Sequence, residues 1–149
     1  MAGPFPFADV ILRLRNAVPA LRFVGNAADL EAALEQPPAT MPAAYVVGVE
    51  SGKEPKGASG GVQIQEIRAF VTVVVMVRNF AGNTQDGGAR QEMDALVASI
   101  DGSLKNWKVA IGFVPLWMST GRDEKLKGGV LAHQRVYVSS YGSRINLPA

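Results

Sequence analysis

Between Val62 and Asn79 the chain reads VQIQEIRAFVTVVVMVRN, and its alternation of apolar and polar residues changes halfway along. In the first half Val62, Ile64 and Ile67 interleave with Gln63, Gln65, Glu66 and Arg68. This predicts a strand with one wet face and a bulge at Gln65 and Glu66, where the phase slips. The second half, Ala69 to Val77, is continuously apolar and bounded by Arg68 and Arg78. It falls far short of the roughly 20 apolar residues that a membrane-spanning helix needs. Val71, Val73, Val74, Val75 and Val77 are β-branched, stiff in helix rotamers and comfortable on a pleated sheet, so the segment reads as one long strand, buried in its second half. At ~3.3 Å per residue such a strand outruns a small core. Something beyond the core, often another subunit, is then expected to cover the excess.

The same periodicities organise the rest. Val10, Ile11, Leu14 and Val18 recur at helical spacing and predict a short helix from Asp9 to Ala17, ended by Pro19. Leu21 to Val24 is extended, and Asn26 followed by Asp29 has the spacing of a capping box for a second helix through Leu34. Pro37, Pro38 and Pro42 break the chain after that helix, and AYVVGVE, Ala44 to Glu50, is a strand. The loop SGKEPKGASGG separates it from the long strand, and Asn79 to Gly88 is a second turn-rich connection. From Ala89, Met93, Leu96, Val97, Ile100 and Leu104 mark the strongest helix, with Arg90, Glu92 and Asp94 on its outer side. Two extended segments, Ala110 to Met118 and Val130 to Tyr141, flank the charged tip STGRDEKLKGG. The order α-β-α-β-β-α-β-β predicts an α+β fold over residues 1–149, a single domain with a mostly antiparallel sheet and helices packed on one face.

Composition narrows the function. The chain has 149 residues, a size that buries about two-thirds of its unfolded surface without staples. It has no cysteine, which excludes disulfides, thiolate metal sites and cysteine nucleophiles. Near the N-terminus Asp9, Arg13 and Arg15 interrupt the apolar residues, so no signal peptide is expected and a cytoplasmic site of synthesis is. Net charge is +2 with charged residues only 19% of the chain, too weak a signal for specific nucleic-acid binding.

Catalytic motifs fail on context. Gly57-Ala58-Ser59-Gly60-Gly61 spells a nucleophile elbow, with Asp86, Asp94 or Asp101 and then His133 downstream, but an elbow needs a strand before the serine and a helix after it. Here a strand comes next, and a flexible Gly/Ser loop explains the same letters. His133 is the only histidine, so a metal role has no second ligand of its kind, and a partly exposed strand position is expected. Ser51-Gly52-Lys53 lacks the earlier glycine and the following Ser/Thr of a phosphate loop. No cofactor is expected. Trp107 and Trp117 suit core or subunit contact better than a ligand cage. The charged loops are either solvated hairpin tips or contacts with neighbouring subunits. On the second view the candidate interface comprises Lys53, Lys56, Glu66, Arg68, Arg78, Arg122, Lys125 and Lys127.

The ordered set FADVILRLRNAVPALRFV, AYVVGVE, a glycine-rich loop, QEIRAFVTVVVMVRN, ARQEMDALVASIDGSLKNW, GFVPLWMSTG and LAHQRVYVSSYG resembles the tail terminator proteins of long-tailed bacteriophages over nearly the whole chain. The resemblance implies a small non-enzymatic α+β protein. It forms a six-membered ring at the head-proximal end of the tail tube, stops tube polymerisation and presents a joint to the neck. It also implies a virion location and, as partners, other copies of the chain, the tube protein and neck or head-completion proteins. The resemblance further implies a lumen through which DNA can pass, and no membrane partner. Two alternatives stay open: another neck or tail adaptor, and a small serine hydrolase using Ser59 and His133.

Overall fold

The computed structural model describes residues 3–55, 62–78 and 87–146. Its elements are α1 (Phe7–Ala17), β1 (Phe23–Gly25), α2 (Ala27–Glu35), β2 (Ala43–Gly52), β3 (Val62–Arg78), α3 (Gly87–Leu104), β4 (Trp117–Leu126) and β5 (Val130–Asn146). The strands form one sheet in the order β1-β2-β3-β5-β4. Only β1 and β2 run parallel among its neighbouring pairs, and the fold is α+β. Asn26 caps α2 as its spacing predicts: its side chain accepts from the Asp29 amide at 3.1 Å, and the Asp29 carboxylate accepts from the Asn26 amide at 2.9 Å.

Strand alternation sorts the core onto two faces. Val71, Val73, Val75 and Val77 of β3, with Ala44, Val46, Leu131 and Tyr137, lie beneath α1 and α3 and meet Val10, Leu14, Met93, Leu96 and Ile100. Each fully buried aliphatic side chain of this kind contributes about 1.5–3 kcal/mol. Gly48 shares this face because a Cβ there would lie 2.3 Å from Phe7 Cδ1, so the glycine lets α1 approach β2. On the other face Tyr45, Met76, Val130 and Ala132 pack with Leu30 and Ala33 of α2. The expectation of helices on one face therefore describes α1 and α3, and α2 lies opposite. Crossover handedness explains this. The β1-α2-β2 and β3-α3-β4 connections advance the same way across the sheet but start from antiparallel strands, so right-handed crossovers put their helices on opposite faces.

Three other expectations are corrected. No bulge occurs at Gln65 and Glu66, because β3 and β5 stay in unbroken register from Val62↔Asn146 to Arg78↔Val130. The polarity there reflects a sheet end that is wet on both faces, and the register irregularity lies between Met118 and Thr120 instead. The segment STGRDEKLKGG is not a loop: up to Leu126 it belongs to β4, an edge strand with little burial on either face, so no apolar alternation reveals it. Ala110 to Leu116 is not a strand, since Gly112 has a φ of 95° and the Phe113 amide closes a turn on the Ala110 carbonyl at 3.3 Å.

A candidate assembly surface

Helix α2 covers only one end of its face of the sheet. Beyond it Val47, Val49, Phe70, Thr72 and Val136 continue a largely apolar surface to Trp117, and Ile64 lies further along the same face beyond Arg68 and Glu66. Val49 is 58% exposed, Ile64 60% and Trp117 52%, a concentration that a monomer seldom leaves facing water. Next to α2 the surface deepens into an open groove of about 260 Å³. Leu30 and Leu34 form one wall, Glu124 and Leu126 of β4 the other, and Val74 lies on the floor. That volume is below the usual range for a drug-sized ligand and suits a few protein side chains.

At the opposite end the sheet narrows to an arm. Pairing to β2 stops at Gly52↔Ile67 and pairing to β4 at Trp117↔Val138, whereas β3 and β5 continue together to Val62↔Asn146. The excess length of β3 is thus matched by β5 of the same chain. Glu50 fixes the root of the arm. Its carboxylate accepts from the Phe5 amide at 2.7 Å and from the Tyr141 hydroxyl at 2.6 Å. Burial, and then the bond to Glu50, push the Tyr141 hydroxyl up to about 12. Phe113 packs its ring against both Phe5 and Tyr141, at centroid distances of 5.3 and 5.1 Å.

A polar chain locks α3 to the sheet on the other face. Asp101 receives a bidentate bond from Arg135, Nε to Oδ1 at 2.7 Å and Nη2 to Oδ2 at 2.6 Å, and also accepts the Tyr137 hydroxyl. Burial pushes the Asp101 carboxyl up, but the bonds from Arg135 and Tyr137 outweigh it and hold the group below its ordinary value. Arg135 Nη1 lies 3.5 Å from His133 Nε2, and His133 Nδ1 lies 2.8 Å from Asp123 Oδ1. Asp123 in turn pairs with Arg90, and its carboxyl is lowered first by the His133 bond. Both nitrogens of His133 are therefore engaged, and Nε2, which in a hydrolase takes the serine proton, faces a guanidinium.

The family model of the phage tail terminator protein matches residues 1–146. The chain belongs to that family. No curated protein matches it. It is a structural protein of a bacteriophage tail and a virion component, and membership implies association with tail and head components. Among the described residues no helix is long and apolar enough to cross a membrane.

The charged residues singled out from sequence divide between two ends of the sheet. Lys53, Glu66 and Arg68 sit at the arm, where Lys53 Nζ and the Glu66 carboxylate form an exposed pair at 3.0 Å that lowers the Glu66 carboxyl. Arg78 lies about 33 Å from Arg68 along β3 and donates to the Pro38 carbonyl at 3.2 Å. Arg122 and Lys125 belong to β4, and Lys127 to the turn after it. Lys56, Ser59 and the rest of Gly57 to Gly61 lie outside the described residues, as does the connection from Asn79 to residue 86. Sequence reasoning missed the apolar face and the Asp101 network. The first had a signal, since Ile64, Phe70 and Val49 fall on one side of paired strands. The second had none, because Asp101 and Arg135 are far apart in sequence.

Proposed function

We propose that this chain closes into a ring of six subunits at the head-proximal end of the phage tail tube. There it halts tube polymerisation and provides the joint to the neck and head-completion proteins. It acts by association and not by catalysis, and both engaged nitrogens of His133 support that part of the reading. Synthesis takes place in the host bacterial cytoplasm, and DNA passes through the lumen without sequence-specific contact. The interface draws on the arm residues Lys53, Lys56, Glu66 and Arg68 and on the far-end residues Arg78, Arg122, Lys125 and Lys127. The observation that carries the proposal is the apolar sheet face left open beyond α2, with Val49 and Trp117 more than half exposed. Such a face, different at its two ends, suits a heterologous contact, the kind that cyclic assemblies use. Native mass measurement and copy counting on assembled tails test it. Six copies confined to one end are expected, and a single copy per tail, or copies spread along the tube, refutes the capping role.

A further inference from the structure

We infer that the tip of the β3–β5 arm, Ile64 with Arg144 beside it, seats in the groove between α2 and β4 of a second copy of the chain. The inference rests on the ring reading and names the contact that makes the ring. Ile64 is 60% exposed on the same face as the groove, and its cross-strand partner on β5 is Arg144. Arg68, four residues further along β3, shares that face, and neither arginine forms a side-chain hydrogen bond or ion pair among the described residues. The arm tip is thus an apolar knob flanked by Arg68 and Arg144; Glu66, on the same face between Ile64 and Arg68, is paired with Lys53 at 3.0 Å, so the tip stays net positive.

The groove has the complementary character. Its walls are the apolar Leu30, Leu34 and Leu126, and Glu124 is the one charged side chain among the described residues that lines it. Helix α2 contributes Asp29, Glu31 and Glu35 and no basic residue. Glu31 stands about 60° further round the helix than Leu34, on the outer rim of the groove wall. Arg122 shares the β4 face but does not line the groove. A chain cannot fill its own groove, because Ile64 and the groove residue Val74 are about 33 Å apart along one strand. The complementary charge makes a second copy the occupant we infer, with contact running from arm to groove around the assembly.

The absence of cysteine gives a direct test. The pair Ile64→Cys and Leu34→Cys is introduced into the full chain, tails are assembled and mildly oxidised, and products are resolved without reductant. A disulfide needs Cα atoms within roughly 7 Å, so bridging within one subunit is impossible and arm-to-groove contact yields a ladder up to the full ring. Each single variant should give no ladder. As a second measurement, Arg144→Glu should raise the concentration for half-assembly about fivefold, and Glu31→Arg should restore it. Tails with their full multiple copies but no ladder overturn the arm-to-groove contact and leave the ring reading standing. A single copy per tail overturns the ring itself. Linking of the Leu34→Cys single variant to the tube protein by a thiol-to-amine cross-linker, with no ladder from the double variant, gives the groove to the tube and also overturns the inference.

Discussion

Replacing Asp101 by Asn should destabilise the protein substantially and remove part of its acid sensitivity. The two side chains of the Asp101–Arg135 pair are each 18% exposed, and Tyr137, which also donates to Asp101, is fully buried. Asn has nearly the same shape, so no cavity forms, but its amide presents N–H groups to a guanidinium and leaves that charge without its partner. Breaking a fully buried pair costs about 3–5 kcal/mol, and residual solvent access here lowers the expectation to about 2–4 kcal/mol. For a chain of this size that corresponds to a melting-point drop of roughly 5–15 °C. The sign of the pH dependence comes from a carboxyl held below its ordinary 3.8 in the fold. Its stabilisation is present above pH 4 and is lost as pH falls through the lowered value. Urea unfolding followed by circular dichroism at pH 7 and near pH 3 should show the gap between parent and variant shrinking in acid. Replacing the three partners together, Asp101→Leu with Arg135→Met and Tyr137→Phe, should recover most of the loss, since neither a charge nor a buried hydroxyl is then stranded. A loss within about 0.5 kcal/mol at pH 7, or a gap that is unchanged in acid, refutes the reasoning.

Leu96 is 3% exposed among the α3 core residues, so Leu96→Ala should cost about 2–5 kcal/mol, read from the unfolding midpoint. Val49→Lys, on the open face, should leave that midpoint within about 0.5 kcal/mol of the parent while abolishing assembly on tails. If it instead unfolds the chain, the face is core. Ser59→Ala and His133→Ala should both support tail assembly, and an esterase activity that disappears in both variants would sink the structural reading.

Most of the fold was legible because its elements obey simple periods. The valine run of β3, the capping box at Asn26 and the Met93-Leu96-Ile100 stripe each announce one element locally, and each element is there. Strand β4 was hidden because an edge strand with both faces wet has no apolar alternation, and its charges read as a loop. The side taken by α2 was not a local property. It depends on which strands are antiparallel, and that is fixed only once the sheet is assembled. The assembly surface was half legible: the wet-and-apolar alternation of Val62 and Ile64 was visible, but only pairing with β5 and β2 puts Ile64, Phe70 and Val49 on one face.

The edges of the sheet argue that copies meet through this face. Pairing edge to edge through β4 would bring together rows containing Arg122, Asp123, Glu124 and Lys125, the charged pattern by which proteins block strand addition. The other edge, β1, is three residues long and offers few ladder bonds. With both of these edges poor, the proposal places association on the open face and on the arm, where β3 and β5 run on past β2 and β4. A two-fold meeting of identical grooves would set Glu31 and Glu124 of one copy against their counterparts, whereas a head-to-tail meeting sets them against Arg68 and Arg144. Head-to-tail contact has no inherent stop, and it closes only if each step turns by the right angle, about 60° for six copies. On the proposed contact that angle is set by the direction in which the arm leaves its own core. Glu50 holds Phe5 and Tyr141 at the root of the arm and thereby makes that direction a fixed property of the fold. On that proposal the long paired strands project the apolar knob, the anchor aims it, and the aim decides whether the ring closes.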